Sequence, residues 1–476
     1  MKHRTLSCAV AFALLGLAGS ASAITDVENN ASIPFGFPNP GARSLGMGGA
    51  FLALADDATA AYANPAGLTG LGIEQQLSME VRHNAYSDEY ASGGSASADA
   101  TDLNGVGYKR ANSTVNNLSY LSWVLPRDNW AIALYRQELV NYNNSYVTDP
   151  IAIGTGGAFV FPYAPRTDLE IINYGASFGY KVNDTLSLGA GLSWYDFGID
   201  TSVARYDTRF GTVGSSDALA NRQSQRGDDH DIGYTLGAIF RGSDNFSIGV
   251  SYRSAPEFDY RATNIAGNAA FADLFGTDGV FTGQTLADKR ARFKVPDTFG
   301  IGFNWRATDQ LSVSFDLNHI NYSNLTEAMQ TAFLNDPGNG LTVVTQIPIN
   351  TPEGPVPAGT AINDLAAGPT SVEAAQALKI EDQFEPRLGF EYALADRPLY
   401  LRAGAWQEKR HTVHHEGDTL LSDGSTNANA VLFSTGENEI HFALGFGWVF
   451  EKFQIDAATD QSDRGDIYSV SGVWRF

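Results

Sequence analysis

Short segments in which apolar and polar residues alternate at every second position limit the fold of this chain most strongly. The alternation runs through Ile172–Lys181, Leu186–Tyr195, Leu311–Asn318 and Ile440–Phe450. Successive side chains of a strand point to opposite faces, so each segment predicts a strand with one apolar face. Segments of roughly ten such residues are typical of transmembrane β-barrels. No stretch after the N-terminus is apolar for the roughly 18 residues that a membrane helix needs.

The gaps between the predicted strands alternate between short and long, as they do in outer-membrane barrels. Tight turns are predicted at 126–129, 183–184, 243–245, 307–309, 395–398 and 451–452. Longer gaps lie at 84–113, 143–167, 201–228, 257–294, 323–380, 412–436 and 460–465. These gaps separate strands near 73–83, 114–125, 130–142, 169–182, 185–200, 230–241, 246–256, 295–306, 310–322, 381–394, 399–411, 437–450, 453–459 and 466–476. We therefore predict an all-β, transmembrane antiparallel barrel of about 14 strands.

The first 23 residues have the features of a secretory signal peptide. Basic residues at positions 2–4 precede an apolar run over 9–17, and small residues at 21–23 form a cleavage site. A membrane anchor is the alternative, but the apolar run is too short to span a bilayer. Cys8 is the only cysteine and would leave with this leader, so we expect no disulfide or thiolate site in the mature chain.

Composition agrees with an outer-membrane barrel. The chain has 49 Gly, 28 Phe, 20 Tyr and 7 Trp. Aromatic residues form the interfacial girdles of such barrels, and glycine occurs where strands bend or another backbone comes close. A formal net charge of −22 argues against nucleic acid as a partner.

A Gly- and Ala-rich stretch, Gly41–Leu68, precedes the first strand and has too few large apolar residues to form its own core. It resembles the N-terminal hatch of the FadL/TodX (OMPP1) family, outer-membrane channels for long-chain fatty acids and hydrocarbons. Weaker matches to the family occur at 252–254, 295–298 and 386–392. The hatch residues that this resemblance indicates are Gly48, Gly49, Asp56, Asp57, Asn64, Pro65 and Ala66.

The resemblance implies three parts: a signal peptide (1–23), an N-terminal extension with a hatch that plugs the lumen (24–72), and the barrel (73–476). Phe35 and Phe37 would border a ligand site in the lumen. The apolar residues of the 257–294 loop would form an outer groove that first captures ligand, or would simply pack over the barrel mouth; they include Phe271, Phe275 and Phe281. The hatch could also be only a structural plug.

The family releases its ligand sideways through a kinked third strand. The third predicted strand, 130–142, contains no glycine that would mark such a kink. The sequence therefore gives no support to a lateral exit, and the exit route stays open.

Charged residues in the inward rows allow two interpretations. The first interpretation is a salt-bridged network that stiffens the wall, because buried charges need partners. Alternatively, Arg387 or Arg402 binds a ligand carboxylate, since arginine forms bidentate contacts with carboxylates.

We predict no enzyme activity, cofactor or metal site. No GxSxG, Walker or HExxH motif is present. The cluster His411, His414, His415 and Glu416 lies in a predicted outer loop without a second group of ligands, so solvated loop residues are the better interpretation.

The predicted function is passive uptake of hydrophobic small molecules across the Gram-negative outer membrane. Alternatives are a PorV-like shuttle for secreted proteins, whose hatch is also similar, and a general porin. Expected partners are a hydrophobic ligand, outer-membrane lipid and lipopolysaccharide, and the barrel assembly machinery, which would recognise the C-terminal Phe476. We expect a monomer that binds no nucleic acid.

Overall fold

The computed structural model describes residues 37–96, 105–153, 158–160, 162–268, 285–325, 349–351, 354–356, 378–409, 414–415 and 438–476. Its helices are short and lie before the first strand: α1 (Ala42–Gly46), α2 (Ala60–Ala63) and a 3-10 helix (Pro65–Gly70). Within the described ranges, no helix has the length and apolar character needed to cross a membrane.

Fourteen antiparallel strands form a closed barrel: β1 (Gln76–Ala96), β2 (Gly105–Pro126), β3 (Trp130–Ser145), β6 (Tyr163–Lys181), β7 (Leu186–Tyr206), β8 (Leu219–Ser243), β9 (Phe246–Ser254), β12 (Thr298–Arg306), β13 (Leu311–Ile320), β17 (Gln383–Ala393), β18 (Leu399–Glu408), β20 (Glu439–Val449), β21 (Phe453–Gln461) and β22 (Gly465–Arg475). The barrel closes where β1 pairs with β22, from Gln76 opposite Arg475 to Tyr86 opposite Gly465. The predicted fold class and strand number are confirmed.

The other strands lie outside this ring. They are β4 (Ile151–Ile153), β5 (Ala158–Val160), β10 (Glu257–Ala266), β11 (Thr285–Lys294), β14 (Ile349–Thr351), β15 (Gly354–Val356), β16 (Leu378–Lys379) and β19 (His414–His415). The hairpin of β10 and β11 continues β9 and β12 beyond the ring, and β10 pairs with the early part of β8. The predicted 257–294 loop is therefore strand at both of its ends.

The outer surface is apolar at alternate positions, as the sequence predicted. On β20, Phe442 and Leu444 are exposed while His441 and Ala443 are buried. Exposed aromatic residues gather near the short turns, where they form a girdle of the kind found at a membrane interface; they are Phe246, Trp305, Trp448, Phe450, Trp474 and Phe476.

The wall is much taller on one side than on the other. β8 has 25 residues and β20 has 11, which correspond to roughly 80 Å and 35 Å at about 3.3 Å per residue. We call the side formed by β18 and β20 the low wall. The predicted gaps 84–113 and 201–228 are thus largely strand. Above the bilayer the outward face of a strand meets water, so apolar residues no longer alternate there, and the sequence pattern does not reveal the extension.

Candidate functional site

The N-terminal segment, residues 37–71, lies inside the barrel at the end that carries the short turns. Its backbone accepts hydrogen bonds from inward-facing side chains of widely separated strands. These hydrogen bonds run from Ser122 Oγ to Ala58 O (3.2 Å), from Ser177 Oγ to Ala61 O (2.6 Å), from Ser251 Oγ to Ala63 O (3.1 Å) and from Arg253 Nη2 to Tyr62 O (3.0 Å). We call this half of the lumen the lower lumen.

Asn64 fixes the turn that joins α2 to the 3-10 helix. Its side chain is fully buried. Its Nδ2 donates to Leu52 O at 2.9 Å, and its Oδ1 accepts from Ala66 N at 3.3 Å. The one amide therefore caps the 3-10 helix and ties it to an earlier part of the segment.

Glycines let the segment approach the wall closely. Gly48 has φ +62°, and a Cβ there would lie 3.0 Å from Ala405 N. On the facing strand, a Cβ on Gly404 would collide with the backbone of Gly48. A side chain at either position would push the segment away from β18.

Ion pairs connect the segment to the wall, and their side chains are mostly buried except that of Asp56, which is 44% exposed. Arg43 in α1 bonds Glu391 on β17 (2.8 Å) and Asp56 (2.6 Å). Glu391 also accepts from Arg402 Nε (2.7 Å), and Arg402 Nη1 reaches Asp456 at 2.8 Å. Each charge in this group has a partner of opposite sign, which is the condition for keeping charges away from water.

Two buried carboxylates hold backbone N–H groups of the segment. Asp316 Oδ2 accepts from Phe51 N (2.7 Å) and Leu52 N (3.0 Å). Glu80 accepts from Gly41 N at 2.9 Å. Carboxylate acceptors make these among the stronger hydrogen bonds in proteins.

The predicted ligand-binding arginines belong to this polar region. Arg402 is shared between Glu391 and Asp456 as described above. Arg387 Nη2 donates to Glu385 at 2.9 Å, and its Nη1 donates to Gly48 O at 3.4 Å. A role for either arginine in ligand binding stays a prediction.

A cluster of buried apolar side chains lies above the segment, towards the long-loop end. Its side chains are both aliphatic and aromatic. Phe197 stacks on Phe258 (ring centroids 4.5 Å apart) and on Phe293 (5.7 Å). We call it the upper chamber; its other buried members include Val140, Tyr142, Leu169, Ile171, Tyr195, Ile199, Tyr260, Val295, Ile320 and Tyr322.

The first described residue of the segment reaches this chamber. Phe37 belongs to the same apolar cluster, and its ring lies 6.3 Å from that of Tyr322. The other predicted ligand residues, Phe35, Phe271, Phe275 and Phe281, lie outside the described residues, as does the predicted signal peptide.

The wall beside the upper chamber is not fully paired. β2 and β3 pair only from Tyr120 opposite Gln137 to Pro126 opposite Ala131. Above that point the described parts of β2 pair with β1, and those of β3 pair with β6. We call this place the β2–β3 gap.

Side chains bridge the gap in place of backbone bonds. Asn117 Nδ2 donates to Glu138 Oε1, and Arg136 donates to Leu118 O. The pairing of β3 with β6 is irregular between Glu138 and Val140. No glycine is needed there, because the extra residue of a common bulge adopts a near-helical conformation that any residue tolerates.

Sequence reasoning placed Phe37 beside a site in the lumen but missed the strand residues that form the upper chamber. The signal was present, because Tyr195, Phe197 and Ile199 form an apolar row on the inward face of β7, where the earlier inward residues are serine and glycine. Apolar residues on both faces of a strand indicate that the inside is also buried.

A closed barrel with an apolar outer belt, short turns at one end and a lumen filled in two layers defines a transmembrane β-barrel of the outer membrane. The family model described as "Outer membrane protein transport protein (OMPP1/FadL/TodX)" matches residues 35–431. The chain belongs to this family, whose members are transport proteins and not enzymes.

Solved structures support the same fold. A Pseudomonas aeruginosa FadL homologue is 16% identical with a TM-score of 0.57, and the match covers 93% of this chain and 99% of that one. The CymD monoaromatic hydrocarbon channel is 15% identical with a TM-score of 0.55, over 93% and 99%. The Pseudomonas putida toluene transporter TodX is 15% identical with a TM-score of 0.50, over 93% and 98%.

A comparison with curated proteins finds no match. The comparisons give no support to the PorV-like alternative.

Proposed function

We propose that this protein takes up hydrophobic small molecules, such as long-chain fatty acids or hydrocarbons, passively across the outer membrane. The observation that carries the proposal is the upper chamber, a cluster of buried apolar side chains inside a membrane barrel and above a segment that fills the lower lumen. Family membership supports transport, and relatives of the same fold are named as hydrocarbon channels and toluene transporters.

Apolar burial would supply the affinity. Moving apolar surface out of water contributes about 25 cal/mol per Å². Apolar side chains such as those of Phe197 and Phe258 would contact alkyl chains and aromatic rings alike. This binding is not directional, so the chamber suits ligands of varied shape.

A ligand with a carboxylate would have to compete for arginines that already have partners, whereas a hydrocarbon would not. Arg387 already pairs with Glu385, and Arg402 with two carboxylates. A fatty acid that used either arginine would have to replace a buried ion pair. Replacing Arg387 with Gln would therefore lower oleate uptake and leave toluene uptake unchanged if this arginine binds the carboxylate.

The β2–β3 gap is our proposed exit to the bilayer. Leu139, Val140 and Tyr142, which follow the gap-bridging residues on β3, all pack in or against the upper chamber. A ligand leaving there would need only to move the Asn117, Arg136 and Glu138 side chains, because no backbone pairing between the described parts of β2 and β3 has to break.

The direct test of transport is uptake of labelled oleate and labelled toluene by cells with and without the gene. We expect uptake of at least one compound to depend on the gene. Equal uptake of both would remove the transport proposal.

The exit is tested separately by joining Asn117→Cys to Glu138→Cys with a reducible bis-methanethiosulfonate linker. We expect uptake to fall on cross-linking and to recover on reduction. Leu192→Cys with Tyr234→Cys is the matched control, since these residues pair on the outer face of β7 and β8. Unchanged uptake across a closed gap would exclude this exit.

A further inference from the structure

A histidine and two glutamates meet on the inward face of the low wall, at the long-loop ends of β18 and β20. One ligand atom from each of Glu408, Glu439 and His441 lies within 4.8 Å of the other two. Glu408 and Glu439 are directly opposite each other in the β18–β20 register. Like charges at directly opposite positions destabilise a sheet, so a metal ion held between the two carboxylates would relieve their repulsion.

A third carboxylate lies beside the same imidazole. Asp460 on β21 is 1% exposed, and its Oδ1 lies 2.7 Å from His441 Nδ1. Its other oxygen accepts from Trp406 Nε1 at 2.8 Å. Three carboxylates therefore surround one imidazole.

The imidazole is held rigidly. Trp406 stacks on His441 with ring centroids 3.9 Å apart and planes 20° from parallel. The hydrogen bond from Nδ1 to Asp460 leaves Nε2 as the atom that faces Glu408. A carboxylate on one ring nitrogen is the usual arrangement that orients a metal-binding histidine and selects its tautomer.

The spacing of the ligand atoms also fits a metal ion. His441 Nε2 and Glu408 Oε2 are 3.2 Å apart. Two ligands of a tetrahedral Zn²⁺ ion with bonds of roughly 2.0–2.1 Å are about 3.3 Å apart. Glu439 Oε1 is oriented by the backbone N–H of Arg464, which donates to it at 2.7 Å.

We propose that Glu408, Glu439 and His441 bind one divalent transition-metal ion of the Zn²⁺ class at the outer rim of the lumen, and that Asp460 is a positioning residue for His441. The imidazole favours Zn²⁺ over Mg²⁺ and Ca²⁺, which prefer oxygen ligands alone. The ion joins β18 to β20, two strands of the low wall. The site does not depend on which compound the channel carries.

The site is linked to the lower lumen through stacked side chains. The Arg387 guanidinium lies 4.2 Å from the ring centroid of Trp406, on which His441 stacks. Arg387 also contacts Gly48 O in the N-terminal segment. An ion at the rim therefore stiffens the part of the wall against which that segment packs.

The test is calorimetric titration of Zn²⁺ into untagged, detergent-purified protein that has been treated with chelator and dialysed. We expect one equivalent per chain, with at least tenfold weaker binding in His441→Ala and Glu408→Gln, and about 10–100-fold weaker binding in Asp460→Asn. Co²⁺ should give the visible absorption bands of a tetrahedral site, and Ca²⁺ and Mg²⁺ should not compete.

Two controls locate the ion. His83→Ala removes an outward-facing histidine of β1 that bonds Asn116, and it should bind Zn²⁺ as the wild type does. His414→Ala with His415→Ala removes the histidines of β19 and should also leave binding unchanged. Absence of stoichiometric Zn²⁺ binding to the wild type overturns the proposal without any variant, and so does binding that survives His441→Ala or is lost with His414 and His415.

Discussion

The lower lumen and the upper chamber lie in one barrel and are built by opposite chemistry. The lower lumen holds the N-terminal segment through directed bonds, such as those from Phe51 N and Leu52 N to Asp316. The upper chamber is held by undirected aromatic contact, such as that of Phe197 with Phe258. Directed bonds select one arrangement of the chain, whereas apolar contact accepts many occupants.

The difference follows from what each region contacts. The lower lumen packs against backbone, whose N–H and C=O groups must be bonded when they are buried. Its wall therefore presents serines, charged groups and glycines that allow close approach. In the upper chamber, the described buried side chains are apolar and pack on one another, so its wall can be apolar.

Deleting residues 37–71 should have the largest effect, because it empties the lower lumen. A barrel of this size without its internal segment encloses a water-filled pore. We expect ion conductance in planar bilayers to rise by about tenfold or more. Circular dichroism and heat-modifiable gel mobility would verify that the variant is a folded barrel; a folded variant with wild-type conductance would mean that the segment does not block the pore.

Phe258→Ala should lower the ligand affinity of the upper chamber and leave the lower lumen unchanged. Losing a stacked ring removes about 1–1.5 kcal/mol, which corresponds to roughly tenfold lower ligand affinity. The measurement is binding of a fluorescent fatty acid to the purified protein. Phe240→Ala is the matched control, since Phe240 is 48% exposed on the outer face, and an equal loss in both variants would contradict a role specific to the chamber.

Glu391→Gln should loosen the N-terminal segment in the lower lumen only. We expect its effect to be smaller than those of the two changes above. Arg43 and Arg402 would lose a shared partner but keep Asp56 and Asp456, so we expect a cost of about 1–3 kcal/mol. Hydrogen exchange of amides in 37–71 should become about fivefold faster or more. Ligand affinity should not change.

Asp184→Asn is the control for that substitution. Asp184 pairs with Lys181 at 2.8 Å in a short turn, where its side chain is 95% exposed. Exposed pairs contribute little, so exchange in 37–71 should match the wild type. Faster exchange in this control would show that the assay does not isolate the buried network.

The barrel was predictable because the bilayer imposes a strict pattern. A lipid-facing row such as Ile440, Phe442 and Leu444 has to be apolar at every second position, and the turn spacing then gives the strand number. The height of β8 was not predictable, because its early residues, such as Asn221 and Gln225, leave the bilayer and lose that pattern.

The site was predictable only in part. The family resemblance indicated the segment and the Asn64 turn, and Phe37 does lie in the apolar cluster. The rim cluster was missed because Glu408, Glu439 and His441 are brought together only by the β18–β20 register. These ligands lie far apart in the sequence, so their spacing has no metal-binding signature.

A crystal structure of the purified protein soaked with a brominated fatty acid or bromotoluene tests the two-region account most directly. We expect an anomalous bromine peak in the upper chamber, beside Phe197 and Phe258, with the N-terminal segment still filling the lower lumen. A bromine peak among the charged groups of the lower lumen, with the upper chamber free of ligand, would contradict the account.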